Sequence, residues 1–410
     1  MTTQTLFTLI IMTVLLQLLI YGAIASYRQW LLYQQLESKQ ITAPAPTTAW
    51  QGTRKFRVQR KVFEDADQTI CSFYLSPEDK RPLPSFLAGQ YLTFEFQLPD
   101  TSGGQTKKTI RCYSLSDKPG LDHYRISVKR VPPPANKPDI PAGLVSNYLH
   151  TQVNEGDVLL VKAPAGHFCW AENITEPMVL IAGGIGITPV LSMLLTALEH
   201  DPEREIWFFY GVRNGAEHIM KTTLEMLAKQ HANLHLHVCY SQPAEADRKE
   251  RDYQHAARVD IKLLRAVLPL KTFQFFVCGP PPMMESLIPA LETWGIPDHQ
   301  IHYEAFGPAS IKRRHAAETV TMPITENPVI RFSQSNKELP WDDKFTCLLE
   351  FAEHHNIKVD FGCRAGSCGS CQTVIESGEV MYQQEADFDV PTGSCLLCIA
   401  RPRTNLTLRL

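Results

Sequence analysis

Three cysteines within nine residues constrain this chain more than any other feature. Cys363, Cys368 and Cys371 stand in a C-x4-C-x2-C spacing, interspersed with Gly366, Ser367, Gly369 and Ser370. A loop with that spacing wraps a [2Fe–2S] cluster, and a distant fourth cysteine closes the site. The reason is geometric: three thiolates from one loop reach two irons only if the backbone folds tightly around them. Gly366 and Gly369 permit the dihedrals this needs and let backbone N–H groups approach sulfur. Cys395 and Cys398 follow the loop. Cys398 is the expected fourth ligand, because residues 396–402 read as the start of a buried strand. Cys395 follows Thr392-Gly393-Ser394 and reads as part of a turn. Structural zinc sites use other spacings.

Through this loop, residues 326–410 resemble plant-type ferredoxin domains. The resemblance implies a β-grasp fold and one-electron transfer. Such a domain carries electrons without obtaining them, so their source is expected elsewhere in the chain.

At 410 residues the chain has room for several domains. A net charge of −3 gives no electrostatic basis for binding nucleic acid. Eleven cysteines, five of them in the last fifty residues, read as cluster ligands plus buried thiols rather than a disulfide framework. That points to a reducing compartment. The histidines, including His235, His237, His354 and His355, show no metal-ligand spacing.

Residues 6–25 are apolar and uncharged apart from scattered Thr, Gln and Tyr. About 20 helical residues span the ~30 Å hydrocarbon core of a bilayer. Tyr21, Tyr27 and Trp30 suit the interfacial belt, and Arg28 and Lys39 follow the run while no basic residue precedes it. The expected reading of residues 1–27 is a single-pass transmembrane anchor in a bacterial-type inner (cytoplasmic) membrane, with the other domains cytoplasmic. A secretory signal, the competing reading, normally starts with a basic region. Residues 28–50, with Pro44 and Pro46, read as a linker.

Residues 51–172 show short alternating strands, among them 56–62, 91–96 and 124–129, bounded by Gly, Pro and Asp turns. That pattern predicts a small antiparallel barrel, with a short helix over 143–151. Residues 173–308 open with the continuous apolar strand 178–182 and then alternate helices and strands, as an α/β doubly wound domain does. Residues 243–257 read as a charged surface insertion. Residues 309–325, with Lys312-Arg313-Arg314, read as a second linker.

Three motifs follow one another in the barrel: Phe86-Leu87-Ala88-Gly89-Gln90-Tyr91, Arg111-Cys112-Tyr113-Ser114 and Gly143-Leu144-Val145-Ser146. In this order they resemble the flavin domain of the ferredoxin-NADP reductase superfamily. The resemblance implies that Arg111 pairs with flavin phosphate and that Tyr113 packs on the isoalloxazine ring. It places Ser114 near the reactive nitrogen and has Gly143 and Ser146 offer N–H groups to the pyrophosphate. FAD is favoured over FMN. Gly183-Gly184-Ile185-Gly186-Ile187-Thr188-Pro189 follows a strand and opens a helix, and it matches the GGxGxTP turn of the superfamily's nicotinamide domain. Cys278-Gly279-Pro280-Pro281-Pro282-Met283 resembles its C-G-P-x-x-M element, which implies that Cys278 orients nicotinamide and flavin, with Gly279 and Pro280 beside the nucleotide. Glu304 and Phe306 are placed near the flavin by the same resemblance. Ser114, Cys278 and Glu304 are the expected catalytic residues. NADH is favoured over NADPH, because Gln242 stands where NADPH-dependent relatives often carry arginine, although Arg213 and Arg258 are further candidates to meet a 2′-phosphate.

The expected fold is multidomain: an N-terminal transmembrane helix, an antiparallel flavin-binding β-barrel, an α/β doubly wound nicotinamide domain and a β-grasp ferredoxin domain. The soluble order resembles reductases of the phthalate dioxygenase reductase and hybrid cluster protein reductase type. That implies electrons passing from NAD(P)H through FAD and the [2Fe–2S] cluster to a protein or quinone acceptor, such as an oxygenase or desaturase component. A membrane-tethered redox sensor with little turnover is the alternative.

Overall fold

The alternating strands of the first part close into a barrel. Its strands are β1 (Thr53–Phe63), β2 (Ile70–Pro77), β3 (Tyr91–Pro99), β4 (Thr106–Ser114), β5 (Tyr124–Lys129) and β6 (Val158–Ala165). They run in the order β4-β3-β6-β1-β2-β5, each pair antiparallel. The bridge between Leu115 and Ile126 joins the two ends. Phe56, Phe73 and Phe94 fill the interior with no exposure. Helix α1 (Leu144–Thr151) adds Val145 and Leu149 to that core.

The second domain is a five-stranded parallel sheet. In chain order it comprises β7 (Met178–Gly183), α2 (Ile187–His200), β8 (Ile206–Val212), α3 (Lys221–Gln230) and β9 (Leu234–Tyr240), then α4 (Ile261–Val267), β10 (Gln274–Gly279), α5 (Pro281–Trp294) and β11 (Ile301–Ala305). The strand order is β11-β10-β7-β8-β9. Every residue of β7 and β10 is buried, because helices cover both faces. The order reverses between β7 and β10, and open α/β sheets bind ligands at the carboxyl ends of strands at such a point. The charged insertion folds back on the sheet edge: Cys239 bridges His255, and Tyr253 stacks on Tyr240 at 4.7 Å.

The C-terminal domain has β12 (Val329–Phe332), β13 (Lys337–Pro340), α6 (Leu348–His354), β14 (Gln372–Ser377), β15 (Val380–Tyr382), β16 (Ser394–Leu396), β17 (Ala400–Pro402) and β18 (Leu406–Leu408). A mixed sheet β13-β12-β18-β14-β16, with β12 and β18 parallel, grips α6 through Leu348, Leu349, Phe351 and Ala352. One expectation is reversed here. Cys395 lies in strand β16, opposite Thr373, whereas Cys398 lies in the turn between β16 and β17.

The computed structural model describes residues 17, 50, 52–99, 106–133, 142–170, 175–306, 328–362, 364, 366, 369–382 and 390–410. Apart from Gln17, the apolar run 6–25 lies outside them, as do the 309–325 linker, Cys363 and Cys368. Among the described residues no helix is long and apolar enough to cross a membrane.

Candidate functional site

Three strand ends converge where the barrel meets the parallel sheet. Ser114 is the last residue of β4, and its hydroxyl donates to Glu304 Oε2 at 3.3 Å, although the two are 190 residues apart. Glu304 lies in β11, in register with Cys278 of β10. The three residues expected to be catalytic are therefore brought to one seam. Burial pushes the Glu304 carboxyl up to about 7, with the Ser114 hydrogen bond pulling the other way. Burial, and then the Glu304 charge, raise the thiols of both Cys278 and Cys169. These thiols stay protonated at neutral pH, so neither acts as a thiolate nucleophile. Cys169 escaped the sequence reading. Its location follows from the segment after β6, where the Trp170 amide donates to Ala88 O at 3.0 Å. Gly89, at φ +106°, meets the same segment: a Cβ there would sit 2.1 Å from Phe168 O. The Phe86–Tyr91 motif is thus a docking point for the barrel's exit segment. Phe306 packs against the core that includes Phe168, Met178 and Cys278.

The glycine turn explains itself by backbone contact. A Cβ on Gly186 would lie 2.3 Å from Cys278 O, and one on Gly183 would lie 2.7 Å from Pro280 Cδ. The β7 turn and the Cys278-Gly279-Pro280 turn therefore press backbone to backbone. Pro280 caps α5, and prolines occupy that helix's first turn, where a missing N–H costs nothing. Thr188 is buried and its hydroxyl donates to Ile185 O at 3.1 Å, bracing the turn. The turn opens helix α2, and main-chain N–H groups at a helix start suit an anionic group such as a nucleotide pyrophosphate. Further along the crevice, Arg213 is ion-paired with Glu217, the Gln242 amide donates to Arg213 O at 2.8 Å, and Arg258 is exposed.

On the barrel, Arg111 is partly buried, and its Nη1 donates to the neighbouring Ile110 O at 2.7 Å. Among the described residues no carboxylate is paired with it. Burial lowers the Arg111 pKa from its ordinary value; Tyr113 works against this and the nearby charge of Arg364 adds to it. A guanidinium held this way fits an anionic cofactor group. Tyr113 packs edge-on to Phe94 at 5.7 Å, and burial raises its phenol, which stays protonated. At the start of α1 the Gly143 amide donates to Val131 O at 3.0 Å, so it is not offered to a phosphate as expected. Gly143 serves the turn instead: a Cβ there would meet Ser146 Oγ at 2.8 Å. The first helical bond runs from Asn147 to Gly143, so the amides of residues 144–146, Ser146 included, precede it. The Ser146 hydroxyl is spent on Gly143 O at 3.1 Å.

In the C-terminal domain, Cys371 and Cys398 are both buried, at 4% and 8% exposure. The Leu397 amide donates to Cys371 O at 3.3 Å. Gly366, at φ +81°, faces Ile399, whose Cδ1 would be 2.7 Å from a Cβ. The cysteine loop is thus laced to the turn that carries Cys398, and Gly369 at φ +70° bears out the need for left-handed backbone. Two buried thiols on facing loops suit the donor set of an iron–sulfur cluster.

Family models match along the chain in the same order. Residues 55–170 match an oxidoreductase FAD-binding domain, 180–287 an oxidoreductase NAD-binding domain, and 330–403 a 2Fe-2S iron-sulfur cluster binding domain. A flavohemoprotein of Halalkalibacterium halodurans is 40% identical over 279 residues, 68% of this chain and 66% of that protein's own length. The flavohem-like FAD/NAD-binding domain of a nitric oxide dioxygenase from Vibrio cholerae is 32% identical and is covered in full by 63% of this chain, with a TM-score of 0.52. Phthalate dioxygenase reductase shares the fold over 88% of this chain and 98% of its own, at 23% identity and a TM-score of 0.50.

Proposed function

Because the chain belongs to the ferredoxin-NADP reductase superfamily and carries a C-terminal [2Fe–2S] domain, we propose that it is the membrane-anchored reductase component of an electron-transfer pair. It is an NAD(P)H-dependent oxidoreductase that uses FAD and a [2Fe–2S] cluster. When bound, these groups supply hydride acceptance from the nucleotide and one-electron delivery to an acceptor.

The chain's own residues position and insulate this chemistry. The Gly183–Gly186 turn and Thr188 hold the nucleotide phosphates, and Gly279 and Pro280 give the nicotinamide close backbone approach. Cys278, kept as a thiol, packs beside the reacting rings. Ser114 and Glu304 hold a proton between Oγ and Oε2 at the seam, and Phe306 excludes water from it. Arg111, Tyr113 and the α1 amides at Ser146 hold the flavin. Cys363, Cys368, Cys371 and Cys398 ligate the cluster. The 397–399 turn that carries Cys398 is tied to the cysteine loop by the Leu397 amide on Cys371 O, which holds the two ligand-bearing segments together. NADH is the preferred donor, because Arg213 already has Glu217 as its anion and Gln242 offers no charge to a 2′-phosphate.

The observation that carries the electron route is the Ser114–Glu304–Cys278 seam, where the flavin strand and the nucleotide strands meet. The uncharged run at 6–25 supports the anchor, and with it an acceptor at a cytoplasmic membrane: an oxygenase or desaturase component, or a quinone. Anaerobic titration of the full-length chain with NADH, then NADPH, tests the route: both flavin and cluster absorbance bleach, and NADH acts at lower concentration. Failure of either band to bleach in a cofactor-replete protein refutes it. Release of the full chain from membranes by alkaline carbonate refutes the anchor.

A further inference from the structure

One aromatic ring of the cluster-bearing domain has cationic groups against it from two domains. The Arg111 guanidinium carbon, from strand β4 of the barrel, lies 5.5 Å from the ring centroid of Phe361. The Arg364 guanidinium carbon, from the cysteine loop, lies 4.1 Å from the same centroid. Both distances are in the range of cation–π attraction. Arg364 is held firmly. Its Nη1 donates to Glu353 Oε2 at 3.0 Å, its Nη2 contacts Oε1, and its φ is +58°, a value unusual for arginine.

The charge at this contact does not balance. Among the described residues, Glu353 is paired with Arg364 and no carboxylate is paired with Arg111. Arg111 is left with a backbone carbonyl. The two like charges oppose each other across Phe361, and an anion beside Arg111 would remove that opposition.

We propose that Phe361 and Arg364 are positioning residues that dock the cysteine loop on the flavin-binding strand, and that the flavin phosphate held at Arg111 is the anion that completes the contact. This rests on the assignment of Arg111 to the flavin phosphate made under the proposed function. Flavin binding and domain docking are then linked, so that whatever weakens one weakens the other. No chemical step is added. The contact sets how near the cluster sits to the flavin.

The test uses the full-length chain, replete in FAD and cluster. After anaerobic mixing with NADH, stopped-flow absorbance reads flavin and cluster bleaching separately. In Phe361→Ala and Arg364→Gln, cluster reduction falls relative to flavin reduction by about 5–30-fold, the loss of one desolvated cation–π contact. In the same variants FAD dissociates more readily by about 5-fold, read from the fluorescence of released flavin without turnover. Phe361→Tyr, which keeps the ring, restores both. If Phe361→Ala does not fold, Arg364→Gln leaves the ring in place and reads the same contact. Unchanged ratios and unchanged FAD affinity overturn the proposal. Slower cluster reduction with unchanged FAD affinity overturns the link to the phosphate. If Arg111→Gln itself leaves FAD affinity unchanged, the assignment of Arg111 fails instead, which separates the two failures.

Discussion

The Glu304 carboxyl gives a quantitative test of the seam. Burial moves it from 4.5 to about 7. Between those values the folded chain holds a proton that the unfolded chain has released. The folded state therefore binds more protons in that window, and stability falls as pH rises until the loss levels off above pH 7. From the two values, the cost is about 1 kcal/mol at pH 5, about 2 kcal/mol at pH 6 and about 3 kcal/mol at pH 8. Glu304→Gln keeps the shape and removes the titration. Relative to wild type, the variant should gain about 2 kcal/mol between pH 5 and pH 8, or roughly 4–8 °C in melting temperature for a unit of this size. Paired melts at equal flavin loading make the assay, because the difference between the proteins cancels every other titrating group. A difference that stays flat with pH refutes a desolvated carboxyl at the seam. Ser114→Ala sharpens the test. The Ser114 hydroxyl works against the rise, so its loss should carry the inflection above pH 7.

Two further outcomes follow from the backbone and the thiols. Gly186→Ala places a methyl 2.3 Å from Cys278 O, so it should cost about 1–3 kcal/mol and weaken NADH binding. Gly184→Ala meets open space at φ +51° and should cost only about 1 kcal/mol, with titration of NADH affinity ranking the two. Cys398→Ser should abolish the cluster absorbance and iron content while ferricyanide reduction by NADH persists. Cys395→Ser should retain the cluster, and the opposite pattern reassigns the ligand.

Much of the fold could be read because burial imposes period. Strand β5 falls on the alternating run at 124–129, and β7 is apolar throughout because both its faces are covered. The exchange of Cys395 and Cys398 between strand and turn shows where period fails. Gly393, at φ +79°, completes its turn by the bond from the Ser394 amide to Pro391 O at 3.0 Å, so pairing with β14 starts at once. The apolar run that follows is buried without being extended. Its Leu397 carbonyl accepts from the Leu349 amide at 2.9 Å, and its Ile399 fills the space beside Gly366. Burial alone does not separate a short strand from a packed turn. The site shows a second limit. Motifs and a family resemblance singled out Ser114, Cys278 and Glu304 one by one as expectations, but no spacing encodes the meeting of β4 with β11. Cys169 and Phe361 stand in no motif and Arg364 is an unspecified position of the cysteine loop, so only packing between domains reveals them.

The two seams differ in kind, and the difference matches the work proposed for each. The barrel and the parallel sheet are joined by partly buried, directional contacts: Ser114 to Glu304, Ser192 Oγ to Asp117 O at 2.7 Å, and Phe168 against Phe276 at 6.1 Å. Lys118 and Glu199 add a surface ion pair at 2.7 Å, which contributes little. Hydride transfer requires the reacting atoms to be held within about 3–3.5 Å, and a packed seam provides that constraint. The barrel meets the cysteine loop through a ring and two guanidinium groups, a contact with weak directionality. Its strength depends on charge, and so on what is bound at Arg111. The residues assigned above to the nucleotide, Gly183, Gly186 and Thr188, lie on the parallel-sheet side of the barrel–sheet junction, so a change at the Phe361 contact should leave them in place.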